Sequence, residues 1–243
     1  MDDDDFRRIW RFPCLLAVLA FITSCRSGQE SSVALPTPNA TSIYKKTVQS
    51  VVGVRVTTWR GERSGTGIIL SSDGLILTSN SVCPIDSEGI KVWLKGPRRL
   101  HASIVGTEPR YDISLIRIKC DNDLKTIPIG QSSKVQIGEA AYTIGNFNDS
   151  IILNDEAALS SGVISGAYQV PNEREGSNYV GPVLETSAAV GIGMEGAPCL
   201  DAEGRLIGVV TTNYSASRRL GLAIPIDELK PVIESLWALW PGK

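Results

Sequence analysis

Thr186-Ser187-Ala188-Ala189-Val190-Gly191-Ile192-Gly193-Met194-Glu195-Gly196-Ala197-Pro198 is the stretch on which the reading of this chain turns. Gly191, Gly193 and Gly196 mark a loop with unusual backbone angles, because glycine enters the positive-φ region at little steric cost. Short apolar runs border the loop. Val183–Thr186 reads as a strand before it, and Leu206–Thr212 as a strand after it, entered through the hairpin signal Asp201-Ala202-Glu203-Gly204.

The same pattern continues outward. Strand-length runs rich in Val, Ile and Leu fall at Val51–Val56, Gly65–Leu70, Leu75–Thr78, Ile90–Leu94, His101–Gly106, Ile113–Ile118 and Ala140–Ile144. Gly162–Tyr168 and Gly221–Ala223 complete the set, and Ser71-Ser72-Asp73-Gly74 is a second hairpin turn. Many short strands between turns predict an all-β barrel or sandwich. Only the C-terminus reads as helical: Leu229, Val232, Ile233, Leu236 and Trp240 make one apolar stripe. Asp227 is the expected cap, which puts Pro231 in the first turn, where proline is tolerated.

Two further stretches carry chemistry in their order. Ile76-Leu77-Thr78-Ser79-Asn80-Ser81-Val82 follows the first hairpin, and Tyr111-Asp112-Ile113-Ser114-Leu115-Ile116 follows Ala102–Gly106. With the 186–198 loop, Ser132–Gly138 with Ala141–Asn146, and Gly221–Pro225, they resemble the HtrA-like (DegP-type) serine proteases of trypsin/chymotrypsin fold. The resemblance runs from about Val51 to Leu236. It implies two six-stranded antiparallel β-barrels with an active cleft between them. By that resemblance Asp112 stands at the position of the orienting aspartate, Ser81 at that of the general-base histidine, and Glu195 at that of the nucleophilic serine.

Triad chemistry needs a hydroxyl to attack, an imidazole to take its proton and a carboxylate to fix the imidazole. A serine hydroxyl at 81 cannot accept a proton at useful pH, and the Glu195 carboxylate is a poor nucleophile toward an amide. The one histidine, His101, lies in a stretch that aligns with an outer strand. Two other catalytic readings stay open: an Asp112/Glu195 carboxylate pair sharing acid and base roles, and a cysteine nucleophile at Cys83 or Cys199. Gly193 and Glu195 are the expected remnant of an oxyanion hole. Gly191 and Met194 replace the asparagines of the resembled loop and Ala197 replaces a glycine; a Cβ at 197 resists positive φ, so whether the hole is formed stays open at this point. The expectation is a degenerate protease homologue that binds a protein or peptide partner. Pro171–Asn178 and Cys83–Gly89 are candidate contact loops, and a purely structural envelope lipoprotein is the remaining alternative.

The first 25 residues read as a leader. Arg7, Arg8 and Arg11 precede the apolar run Pro13–Ile22, which is too short to span a bilayer and ends in Ile22-Thr23-Ser24-Cys25. That ending resembles a bacterial lipobox and implies lipidation at Cys25. Arg26 follows it, and without aspartate there the resemblance implies the outer membrane, facing the periplasm. Residues 26–41 read as a polar tether and 42–243 as the barrel domain with its helix, with no PDZ domain. The length of 243 residues and 42% hydrophobic content permit a large core. A net charge of −2 gives no electrostatic footprint for nucleic acid. The spacing of Cys83, Cys120 and Cys199 matches no metal site, and nothing calls for a cofactor. Those three cysteines allow one intramolecular disulfide, and their spacing does not choose the pair.

Overall fold

The computed structural model describes residues 40–96, 98–121, 123–170, 179–211 and 220–240. The leader, Cys25, the tether as far as residue 39 and the loop 171–178 lie outside them. Two closed antiparallel barrels of six strands each make up the fold. The first contains β1 (Val51–Thr58), β2 (Gly61–Ile69), β3 (Leu75–Ser79), β4 (Glu88–Leu94), β5 (Arg98–Glu108) and β6 (Ile113–Ile118), in the order β1-β2-β3-β6-β5-β4. The second contains β7 (Ala140–Gly145), β8 (Ala158–Val170), β9 (Gly181–Thr186), β10 (Pro198–Leu200), β11 (Leu206–Val210) and β12 (Gly221–Pro225), in the order β10-β11-β12-β9-β8-β7.

The unbroken apolar runs in β2, β3 and β6 follow from burial on both faces. Ile69, Ile76 and Ile116 pack with Val52, Val54 and Val92 in one cluster built wholly from the first barrel. Their neighbours Ile68, Leu77 and Leu115 point the other way and pack with Tyr142, Ile144, Leu222 and Ile224 of the second barrel. A strand between two cores shows no polar alternation. Each such side chain, fully buried, is worth about 1.5–3 kcal/mol. A separate cluster of Ala141, Ile164, Leu184, Cys199, Ile207 and Ala223 belongs to the second barrel alone.

Both expected hairpin turns form. Leu70 N–H donates to Leu75 O (2.8 Å) across one, and Asp201 N–H to Arg205 O (3.0 Å) across the other. Gly74 and Gly204 take the positive φ angles that these turns require.

Three features differ from the sequence expectation. First, α1 (Ala40–Thr47) is a helix that spans the expected boundary between the tether and the barrel domain, where the sequence reading placed no helix. It lies against the β10–β11 turn: Lys46 Nζ donates to Glu203 O, and a Cβ on Gly204 would meet Thr47 and Ile43 at 3.3 and 3.6 Å. A second short helix, α2 (Ser150–Asn154), follows β7. Second, β10 has only three residues, too few to show a period, and carries proline at its first position, where a strand accepts it. Third, α3 (Ile226–Ala238) begins two residues earlier than a cap at Asp227 implies, so Pro231 sits beyond the first turn. Asp227 instead accepts from Ser133 N–H (2.8 Å) in the turn ahead of β7, and from Lys230 Nζ (2.6 Å) within the helix. No helix among the described residues is long and apolar enough to cross a membrane.

Candidate active-site cleft

Ser81 is placed by the end of β3. After Ser79 the chain turns, with Val82 and Cys83 N–H groups donating to Ser79 O (3.2 and 3.0 Å). Asp112 closes a single 3₁₀ turn, Pro109–Tyr111, in the left-handed conformation (φ 48°), which aspartate tolerates better than most residues. That conformation turns its carboxylate inward, where the residue is 5% exposed. Oδ1 accepts from Ser79 Oγ (2.8 Å) and from Ser81 N–H (2.9 Å), and Oδ2 accepts from Thr211 Oγ1 (2.7 Å). The Ser81 and Ser79 hydroxyls share a short hydrogen bond, and Arg63 Nη1 donates to Ser81 O (2.6 Å). Ser81 and Asp112 are thus brought together, through a backbone N–H rather than through the Ser81 side chain.

Glu195 comes from the second barrel, in the loop between β9 and β10. Its half-buried carboxylate folds back along the loop, and Oε2 accepts from Gly193 N–H at 2.9 Å. Its own backbone N–H also favours the ionised carboxylate. Burial pushes the carboxyl above its ordinary range, and the Asp112 charge adds a smaller push in the same direction. The loop is fixed to the first barrel by Thr66 on β2. Thr66 N–H donates to Glu195 O (2.9 Å), Thr66 Oγ1 donates to Gly193 O (2.7 Å), and Oγ1 accepts from Asn146 N–H (2.9 Å). Gly193 has φ 89°, and a Cβ there would stand 2.3 Å from Asn146 O. Gly196 has φ 81° and a Cβ there would stand 2.4 Å from Thr66 O. Ala197 is not among the positive-φ residues and fits as a fully buried side chain, so its Cβ meets no positive φ there.

The other candidates are placed as follows. His101 lies exposed on β5, opposite Lys91 of β4. Cys83 and Cys199 are completely buried, one in each barrel's cluster, and burial pushes their thiols up to about 11 and about 12. A thiolate nucleophile needs the opposite shift. Cys83, Cys120 and Cys199 are all free thiols. Among the described residues no group of three or more His, Cys, Asp and Glu is placed to hold a metal ion. Sequence reasoning missed Ser79, Thr66, Asn146 and Thr211. Ser79 was within reach, two residues before Ser81 in the quoted stretch. Asn146 closes the quoted stretch Ala141–Asn146, whereas Thr66 and Thr211 act on partners far along the chain.

Two six-stranded barrels, with a three-part site contributed from both at their seam, define a protein of the chymotrypsin-like architectural class. The comparisons agree. The family described as trypsin-like peptidase domain matches residues 65–209, and the chain belongs to that family. The Pseudomonas fulva protein named probable periplasmic serine endoprotease DegP-like is 32% identical over 72% of this chain and 35% of its own length. Protease Do-like 1, chloroplastic, of Arabidopsis thaliana is 31% identical over 71% of this chain and 39% of its own. Among solved structures, one described as HtrA-type protease AlgW with tripeptide superposes with a TM-score of 0.71 at 26% identity, covering 82% of this chain and 64% of that one. The chain spans well under half the length of these curated relatives.

Proposed function

We propose that this chain is a pseudoprotease: a trypsin-like domain that has lost peptide hydrolysis and serves at the bacterial envelope as a binding domain for a protein or peptide. One observation carries the reading. At the positions that correspond to base and nucleophile stand Ser81 and Glu195, and the Glu195 carboxylate rests on the Gly193 N–H. Asp112 is buried and fully engaged by Ser79, Ser81 and Thr211, with no imidazole to orient. An anionic carboxylate neither attacks an amide nor leaves room for the negative charge of a tetrahedral intermediate.

Lipidation at Cys25 supplies the anchor in this reading, with the domain facing the periplasm from the outer membrane. The name of the Pseudomonas relative, which includes the word periplasmic, supports an exported domain.

Loss of triad members costs a protease about 10⁴- to 10⁶-fold, and the losses are not additive. The wild type and the single variants Glu195→Ser and Ser81→His are therefore expected to cleave casein no faster than background. The double variant supplies base and nucleophile beside the existing Asp112 and removes the carboxylate from the Gly193 N–H, so weak hydrolysis is the expected outcome. Robust cleavage by the wild type, abolished by changing Glu195, Ser81, Cys83 or Cys199, would overturn the proposal.

A further inference from the structure

The amides of the 191–197 loop divide into two groups. Met194 N–H donates to Gly191 O (3.0 Å), Gly196 N–H to Val210 O (2.9 Å) and Ala197 N–H to Met194 O (2.9 Å). Those three build the loop. Gly193 N–H instead points at the Glu195 carboxylate and donates to its Oε2 at 2.9 Å.

The placement of that amide does not depend on Glu195. The positive φ at Gly193 and Gly196 fixes the peptide planes, and Asn146 O and Thr66 O approach so closely that no Cβ fits at either glycine. Thr66 holds the carbonyls of residues 193 and 195 from the opposite barrel. Backbone N–H groups held in this way bind an oxygen anion without reorganising. The carboxylate is a guest in a site built by other residues.

We infer that Glu195 is an autoinhibitory ligand in cis: its carboxylate fills the nest at the Gly193 amide, which can still donate to the acyl or carboxylate oxygen of an external ligand, and thereby closes the centre of the cleft. The inference deepens the proposed binding role and rests on it for the absence of a nucleophile. A peptide partner then binds either without an oxygen in the nest or by expelling the Glu195 side chain.

The test uses the full chain labelled with ¹⁵N-glycine and sodium acetate as the probe, read at the Gly193 amide resonance. In the wild type the resonance stays still as acetate is added. In Glu195→Ala it moves saturably, with apparent affinity at least about tenfold above the wild type, a gain of about 1.4 kcal/mol. Glu195→Gln leaves a carboxamide oxygen on the same amide and should behave as the wild type does. Glu195→Ser opens the nest equally and replaces the alanine variant if that one misfolds. An equal response in wild type and opened variants overturns the inference, as does a folded opened variant that ignores acetate. No hydrolysis is measured. Proteolysis by the wild type would therefore remove the proposed function alone, and an acetate-blind opened variant would remove this inference alone.

Discussion

Asp112 and Glu195 are carboxylates contributed to one cleft, and their surroundings treat them differently. Asp112 is buried with donors on both oxygens, whereas Glu195 is half-buried, and burial outweighs the hydrogen bonds from the Gly193 and Glu195 amides. The raised Glu195 pKa means that the folded protein holds that proton more tightly than the unfolded chain. Its favourable contribution is complete below the ordinary glutamate pKa and is lost as pH rises through the folded value. Near neutral pH the ionised group is a net cost. Glu195→Gln should then raise the melting temperature at pH 7, with the gain shrinking as the pH falls toward 4, and each kcal/mol recovered reads as about 2–4 °C. Equal melting temperatures at every pH would rule out a burdened carboxylate. At this scale the identities of Ser81, Asp112, Glu195 and Gly193 were legible, because short stretches in a fixed order carry them. The direction in which Glu195 points was not. The side chain follows the Gly193 amide, whose setting depends on Thr66, more than a hundred residues earlier.

Among the elements, β2 bears most on the cleft because Thr66 gives every polar atom to a partner: Glu195 O, Gly193 O, Asn146 N–H and Thr78 Oγ1. Thr66→Val keeps the β-branched shape and deletes only the hydroxyl. It strands the Gly193 carbonyl and the Asn146 amide in a buried setting, at a cost of about 1–3 kcal/mol. Urea unfolding should show a lower midpoint at an unchanged slope. A midpoint equal to that of the wild type would show that the seam does not depend on this hydroxyl. The strands with several β-branched residues, such as β1 and β6, could be read directly. The helix α1 could not, since Ala40-Thr41-Ser42-Ile43-Tyr44-Lys45-Lys46-Thr47 has mediocre propensity and is shorter than a helix that stands alone in water. Its buried pair, Ile43 and Thr47, exists because the β10–β11 turn lies beneath it.

For the molecule as a whole, attachment is the first question. Cells grown with labelled palmitate should label the wild type, and Cys25→Ala should lose both the label and sedimentation with membranes. Stable anchoring needs more than one acyl chain, so the loss should be nearly complete. Label retained by Cys25→Ala would move the anchor elsewhere. The helices α1 and α3, first and last among the described residues, bear on another property. α1 precedes the first barrel and grips the second, through Glu203 and also through Tyr44 Oη, which donates to Glu156 Oε2 (2.9 Å). α3 follows the second barrel and grips the first, with Leu236 against Gly106 and Trp237 beneath Arg117 at 5.2 Å. Each of these helices thus clasps the barrel that it does not adjoin in sequence. A backbone break in the connection between β6 and β7 would therefore leave two fragments that each lack a piece of their own surface and carry a piece of the other's. Such fragments are expected to fold only together, by complementation, each supplying the surface that the other lacks.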